Sequence, residues 1–166
     1  MKNNQELSYR LATDCEEDFE SLYKIKCDPE NIKWGGFSCP PNKESFRKWY
    51  KKRIHDTDRE IYLVFLNKIC VGFFYIDYLD DETIEDTTGV LTEYSGRGIG
   101  TYMLKIIDEI AMSKNIKRHI AWVSENNISS YKGCIKLGYK RLEETEQRNL
   151  PLLGGVQTFY KWEYYY

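Results

Sequence analysis

The sequence predicts an α/β fold of the α+β kind: a mixed, mostly antiparallel sheet of about seven strands flanked by about four helices. Three observations carry that prediction. Between Glu60 and Glu93, three β-rich runs follow one another with only short polar turns between them, the pattern of an antiparallel meander. From Ile99 the apolar spacing becomes helical, with Ile99, Met103, Ile106, Ile107 and Ile110 on one face. That helix leads into a further apolar run, Ile116 to Val123, and a strand–helix–strand crossover makes the flanking strands parallel. A meander placed before the glycine-rich turn argues against a Rossmann fold, which would alternate strand and helix.

Taken in order, Leu7 to Ala12 is a short first strand. Thr13 and Glu16 have the spacing of a capping box, so a helix starts there and runs to about Lys26. Asp28-Pro29 ends it, and Asn31 to Pro41 (NIKWGGFSCPP) reads as a loop anchored by large aromatics. A second helix covers Lys43 to His55, with Phe46, Trp49, Tyr50 and Ile54 inward and Lys48, Lys51, Lys52 and Arg53 solvated. Glu60 to Leu66 and Ile69 to Tyr78 form a hairpin about Asn67-Lys68, and Ile84 to Glu93 is the next strand. Asn115 caps the long helix. A fourth helix lies between Asn127 and Gly138. Tyr139 to Glu144 is a strand, Glu143 to Gly155 includes a long polar loop, and Gln157 to Tyr165 closes the sheet with Tyr160, Trp162 and Tyr164 alternating.

A chain of 166 residues fits one domain, 1–166, with room for a substantial core. A net charge of −2 makes no electrostatic case for nucleic acid. No apolar run approaches the ~18 residues of a membrane span. The opening MKNNQELSYR lacks the apolar stretch of a secretory signal, so a cytoplasmic location is expected. The five cysteines are odd in number and form no C-x-x-C, which argues against a disulfide framework or zinc knuckle. With only His55 and His119, no metal site is expected, and a Ser-His-Asp or Cys-His hydrolase has little to work with.

The stretch that points to function is Ser95-Gly96-Arg97-Gly98-Ile99-Gly100-Thr101, between a strand and a helix. The first N–H groups of a helix have no internal partner, the helix dipole is positive there, and glycines let an anion approach. Phosphate or pyrophosphate is the natural guest. A P-loop would need Gly-Lys-Ser/Thr, but Gly100 is followed by Thr101 and Tyr102. A dinucleotide loop would need G-x-G-x-x-G, and the glycines here run G-x-G-x-G.

This loop resembles the acetyl-CoA pyrophosphate loop of the GNAT superfamily of N-acetyltransferases, Gln/Arg-x-x-Gly-x-Gly/Ala. Gly98 and Gly100 fill the glycine positions, Ser95 stands at the Gln/Arg position, and Arg97 offers a replacement charge. Downstream, Asn127-Ile-Ser-Ser130 and Lys136-Leu-Gly-Tyr139 are similar to the family's Asn-x-x-Ser/Ala helix ending in Lys-Leu-Gly-Phe/Tyr, at the family's separation. The resemblance runs from Thr87 to Tyr139. Its nearest branch holds ribosomal-protein N-terminal acetyltransferases and related small-molecule enzymes.

The resemblance implies a sheet splayed near Val90 and Val123 that holds acetyl-CoA as co-substrate. It implies acetyl transfer by direct attack of a primary amine of a small molecule or peptide. Ser95, Gly96, Arg97, Gly98, Ile99, Gly100 and Thr101 would hold the pyrophosphate, and Asn127 and Ser130 the pantetheine arm. A backbone N–H at Val90 or Leu91 would polarise the thioester carbonyl. The family's acidic Tyr falls on Cys134, with Tyr131 one turn earlier as the alternative donor. Glu85 is the candidate base, with Asp77 and Asp86 as rivals. Since side chains alternate along a strand, Glu85 and Asp86 are not expected to face one cleft together. Trp34 and Phe37 are candidate acceptor contacts. The implied partner is an amine acceptor, without nucleic acid or membrane, and a homodimer is admissible. Two other readings compete. One is a non-catalytic acyl-CoA-binding or sensing module, favoured by Ser95 and Cys134 replacing expected residues. The other is a nucleotide-dependent oxidoreductase, with Glu125 as the ribose acid.

Overall fold

The computed structural model describes residues 6–166. Residues 1–5, the first half of the stretch read above for a leader, lie outside the described residues. The elements in chain order are β1 (Leu7–Leu11), α1 (Glu16–Lys26), α2 (Pro29–Trp34), α3 (Lys43–Arg53), β2 (Arg59–Leu66), β3 (Ile69–Tyr78), β4 (Thr83–Val90), α4 (Ile99–Ser113), β5 (Arg118–Ser124), α5 (Ile128–Lys136), β6 (Lys140–Leu150) and β7 (Gly155–Tyr165). All seven strands join one sheet in the order β1-β2-β3-β4-β5-β7-β6. Neighbouring strands are antiparallel except β4 and β5, which are parallel as the crossover through α4 requires.

Both faces of the sheet's first half are covered. Met103 and Ile107 of α4 pack on Val64, Phe74, Ile76 and Ile84. On the opposite face Phe19 and Leu22 of α1 and Tyr50 of α3 pack on Leu63, Phe73 and Tyr75. This is why β3 reads as an unbroken apolar run: every residue from Val71 to Ile76 is buried. The second half of the sheet is covered by α5, where Cys134 meets Ala121, Val123, Tyr139 and Trp162. No helix among the described residues is long and apolar enough to cross a membrane.

Three local expectations are corrected. Thr13 and Glu16 do not form a capping box. The buried Asp18 carboxylate accepts instead from the Thr13 N–H at 2.7 Å and hydroxyl at 2.9 Å, and it takes both arms of Arg10. Glu16 turns away to Arg47. The stretch after Asp28 is not all loop but holds α2, which makes five helices among the described residues. Pro29 occupies a first-turn position where no N–H is needed, and Asp28 caps the turn by accepting from Glu30 N–H at 3.0 Å. The residues that end α1 therefore begin α2. Finally, the polar segment after Glu144 is strand: Thr145 to Leu150 pair with Tyr160 to Gly155. Its charges suit an edge strand, where they discourage pairing with other chains.

α2 is fastened to the end of β4. Asp28 accepts from the Thr92 N–H at 2.9 Å and hydroxyl at 2.6 Å, and Asn31 Nδ2 donates to the Val90 carbonyl at 3.0 Å. The approach is so close that a Cβ on Gly89 would overlap Asn31 Oδ1 and the Phe73 ring. Gly89→Ala is therefore expected to destabilise the fold by about 1–3 kcal/mol through overpacking. The urea midpoint measures this, and an unchanged midpoint would contradict the clamp.

Candidate active site

The site begins where the sheet fails to close. β4 and β5 pair only from Thr83–Arg118 to Glu85–Ile120. Beyond that point they part, leaving a cleft of about 500 Å³ walled by β4, β5, the start of α4 and the start of α5.

The backbone of β4 sets one wall. The Leu91 N–H donates to the Val71 carbonyl at 2.9 Å. In an antiparallel pair, alternate residues point their N–H and C=O groups to opposite sides. Leu91, Gly89 and Thr87 therefore face β3, while Thr88 and Val90 face the side where β5 has departed. Of the two residues expected to polarise a carbonyl, Leu91 already spends its N–H on the sheet. Val90 presents its N–H to the cleft. Thr88, which sequence reasoning missed, presents a second N–H two residues earlier. Only the ladder register separates these positions, so no side-chain pattern signalled it.

The start of α4 forms the next stretch of the lining. Gly98 is its N-cap with φ of 77°, a left-handed conformation that L side chains resist, and no side chain caps the first turn. A Cβ placed at Gly96, Gly98 or Gly100 meets nothing within 4 Å, so the first-turn N–H groups face open space. Ser95, Gly96, Gly98, Ile99, Gly100 and Thr101 all line the cleft. Arg97 is exposed beside it, its guanidinium 5.2 Å from the centre of the Tyr94 ring. These features fit a pyrophosphate: unpaired donors, a positive dipole end and no side chain in the way.

Asn127 and Ser130 line the α5 side. Asn127 also caps α5, its Oδ1 accepting from the Ser130 N–H at 3.2 Å. Cys134 lines the cleft and is buried, and burial pushes its thiol up to about 12. Tyr131 stands outside the lining, edge-on against Trp162 with ring centres 5.2 Å apart. Trp34 lines the cleft, whereas Phe37 is exposed and does not. Glu125 is exposed and also lies outside it.

Glu85 and Asp86 both line the cleft, contrary to the alternation argument. Their side chains do point to opposite faces of β4. With β5 gone, however, the cleft opens to both faces. Burial raises the Glu85 carboxyl above its ordinary range, with Arg148 acting against the rise. Arg148, Trp122 and Phe159 complete that side, and all three escaped the sequence reading. The Arg148 guanidinium stacks 4.6 Å from the Phe159 ring centre and pairs with Glu146 at 3.1 Å. Arg148 lay in the segment expected to be a loop, so its place in the cleft was invisible. Among the described residues no group of three or more His, Cys, Asp or Glu side chains could hold a metal ion.

An open strand edge carrying free amide donors runs directly into an uncapped helix N-terminus. That combination defines a fold that takes an extended, amide-bearing chain ending in a pyrophosphate, which describes an acyl-CoA. The family profile described as the acetyltransferase (GNAT) domain matches residues 9–140. The chain belongs to the GNAT acetyltransferase family and is an acetyl-CoA-dependent N-acetyltransferase.

The fold is similar to that of a spermidine N-acetyltransferase from Vibrio cholerae solved with CoA and spermine. The TM-score is 0.85 at 14% identity, covering 98% of this chain and 96% of that one. A ribosomal-protein-alanine N-acetyltransferase from Brucella melitensis gives 0.77 at 17% identity, over 96% of this chain and 98% of that one. A Salmonella typhimurium protein solved with its cofactor acetyl-CoA gives 0.75 at 14%, over 96% and 93%. None of the curated proteins matches the sequence significantly.

Proposed function

We propose that the chain moves the acetyl group of acetyl-CoA to a primary amine of a small molecule or peptide in the cytoplasm, and that Glu85 accepts the amine's proton. Acetyl-CoA supplies an acyl group activated on sulfur. The observation that carries the residue assignment is the open edge of β4. The N–H groups of Thr88 and Val90 face the cleft, where they would meet the negative charge that develops on the acyl oxygen, and such donors stabilise charge without moving. Asn31 holds the Val90 carbonyl while Val71 holds the Leu91 N–H, so the peptide that follows Val90 is pinned from both ends.

The free amides of residues 98–101 would take the pyrophosphate, with Arg97 and the Thr101 hydroxyl beside them. Asn127 and Ser130 would contact the amide-bearing arm. Glu85 suits a base because burial strengthens its hold on a proton. It shares the cleft lining with Trp34, Trp122 and Phe159, which would border the acceptor. An amine must be neutral to attack, and a half-buried carboxylate among aromatics both attracts the ammonium form and removes its proton.

The test is a screen of amines with acetyl-CoA, reading thiol release. The library should span amino acids, polyamines, amino sugars and peptides with free N-termini. Saturable release with one class supports the reading. Tight CoA binding with no release on any amine would favour the non-catalytic module, to which the replacements at Ser95 and Cys134 already point.

A further inference from the structure

Acyl transfer leaves one proton without a donor, because the sulfur departs as a thiolate. Cys134 lines the cleft and is the first candidate donor. Burial holds its thiol at about 12, far above the ~8.5 of a free thiol, so it gives up its proton poorly. Tyr131 faces Trp162 instead.

Another group reaches the cleft. The Asp86 side chain is 7% exposed and lines the cleft. Behind it, on β5, His119 is wholly buried, with its Nε2 3.0 Å from Asp86 Oδ1. Its Nδ1 lies 2.5 Å from the Tyr139 hydroxyl and 3.4 Å from Asp108 Oδ1. The Tyr139 hydroxyl donates to Asp108 at 2.9 Å, and so does the Tyr166 hydroxyl at 2.7 Å. Asp108, on α4, is 18% exposed. One unbroken line of polar groups therefore runs from the cleft to the surface behind α4.

The groups facing His119 come from every element around it: Asp86 from β4, Asp108 from α4, Tyr139 from the residue before β6, and Tyr166 after β7. Cys134 of α5 senses the Asp86 charge. Burial works against a charge on His119, but the hydrogen bonds to Asp108 and Asp86 outweigh it and raise the imidazole to about 9. The ring is then doubly protonated at neutral pH, donating to a carboxylate that opens on the cleft.

We propose that Asp86, His119, Tyr139 and Asp108 form a proton relay that returns a proton to the departing CoA sulfur. The proposal rests on the acetyltransferase reading. The amine nitrogen bonds to the acyl carbon, the carbon–sulfur bond breaks, and its electron pair stays on sulfur. The proton on His119 Nε2 passes to Asp86 and from there to the sulfur. The ring keeps its Nδ1 proton, held by Asp108 and Tyr139, and regains the Nε2 proton through Asp86 from water that enters the cleft as CoA leaves. The amine's own proton leaves by Glu85 on the other face of β4, so no net charge accumulates.

The test joins two measurements. An NMR titration of histidine-labelled, ligand-free protein reads the His119 midpoint. The pH profile of kcat, from thiol release with the best amine of the screen, reads the rate. A group raised in this way is charged below its midpoint, so kcat should hold at lower pH and fall as pH rises through about 9, in step with the His119 signal. Asp108→Asn removes one of the two carboxylates that raise His119. It should move both midpoints down together, leaving the CoA dissociation constant unchanged. Tyr139→Phe keeps both carboxylates but removes the hydroxyl 2.5 Å from Nδ1 that helps hold its proton, and should lower kcat about tenfold or more with CoA affinity retained. The relay is overturned if the NMR midpoint moves in Asp108→Asn while the rate profile stays, or if Tyr139→Phe turns over like the parent. Failure to bind CoA at all would instead sink the acetyltransferase reading, and the relay with it.

Discussion

Gly100→Leu is expected to melt at or above the temperature of the parent protein and to lose the rise that CoA produces. Gly100 sits in the first turn of α4 and lines the cleft, and a Cβ there meets nothing within 4 Å. Its φ is ordinary, so a side chain carries no backbone strain. Replacing glycine in a helix gains up to about 1 kcal/mol in propensity. The same side chain fills the space before the first-turn N–H groups. If it weakens binding about 100-fold, a ligand supplied at 100 times the parent Kd stabilises by roughly 0.4 kcal/mol instead of about 2.7. Gly98→Leu would be a poorer test, because its φ of 77° adds strain to the effect on binding. A full CoA-induced shift in Gly100→Leu would remove the loop from the site.

Glu85→Gln is expected to lower kcat about 100-fold at neutral pH with little change in CoA affinity. The variant keeps the shape and hydrogen-bonding reach of the side chain but accepts no proton. The sign of the pH effect follows from the raised carboxyl. Below its midpoint Glu85 is protonated and useless as a base, so the parent's rate should fall as pH drops through a value above the ordinary 4.5 of glutamate. The variant should lack that acidic limb. A limb that survives in Glu85→Gln and vanishes in Asp86→Asn would move the base to the other face of β4.

Much of the fold was legible because two signals are local. Apolar spacing marked α4 from Ile99 onward, and the meander from Arg59 to Val90 announced itself through short turns and β-formers. What escaped reading depended on distant partners. α2 was hidden because Asp28-Pro29 signals a helix end and a helix start alike. The second half of β6, from Thr145 on, was hidden because an edge strand carries charges that look like a loop. The uncapped, glycine-rich start of α4 was legible from Gly96 to Thr101, since a helix N-terminus and its glycines are adjacent in the chain. The places of Thr88, Arg148 and His119 were not legible, because they come from a strand register, an edge strand's return and a buried network between β4, β5 and α4. The alternation argument for Glu85 and Asp86 failed for a related reason: it assumes a paired strand, and β4 loses its partner just there.

The central claim is that the splay between β4 and β5 and the N-terminus of α4 together form an acyl-CoA site. The most direct test is the melting temperature of the purified protein alone and with acetyl-CoA, NAD or ATP. A ligand that binds only the folded state at 100 times its Kd adds about 2.7 kcal/mol, a readily measured shift. The account predicts a clear rise with acetyl-CoA and none with NAD. A rise with NAD and none with acetyl-CoA would contradict it.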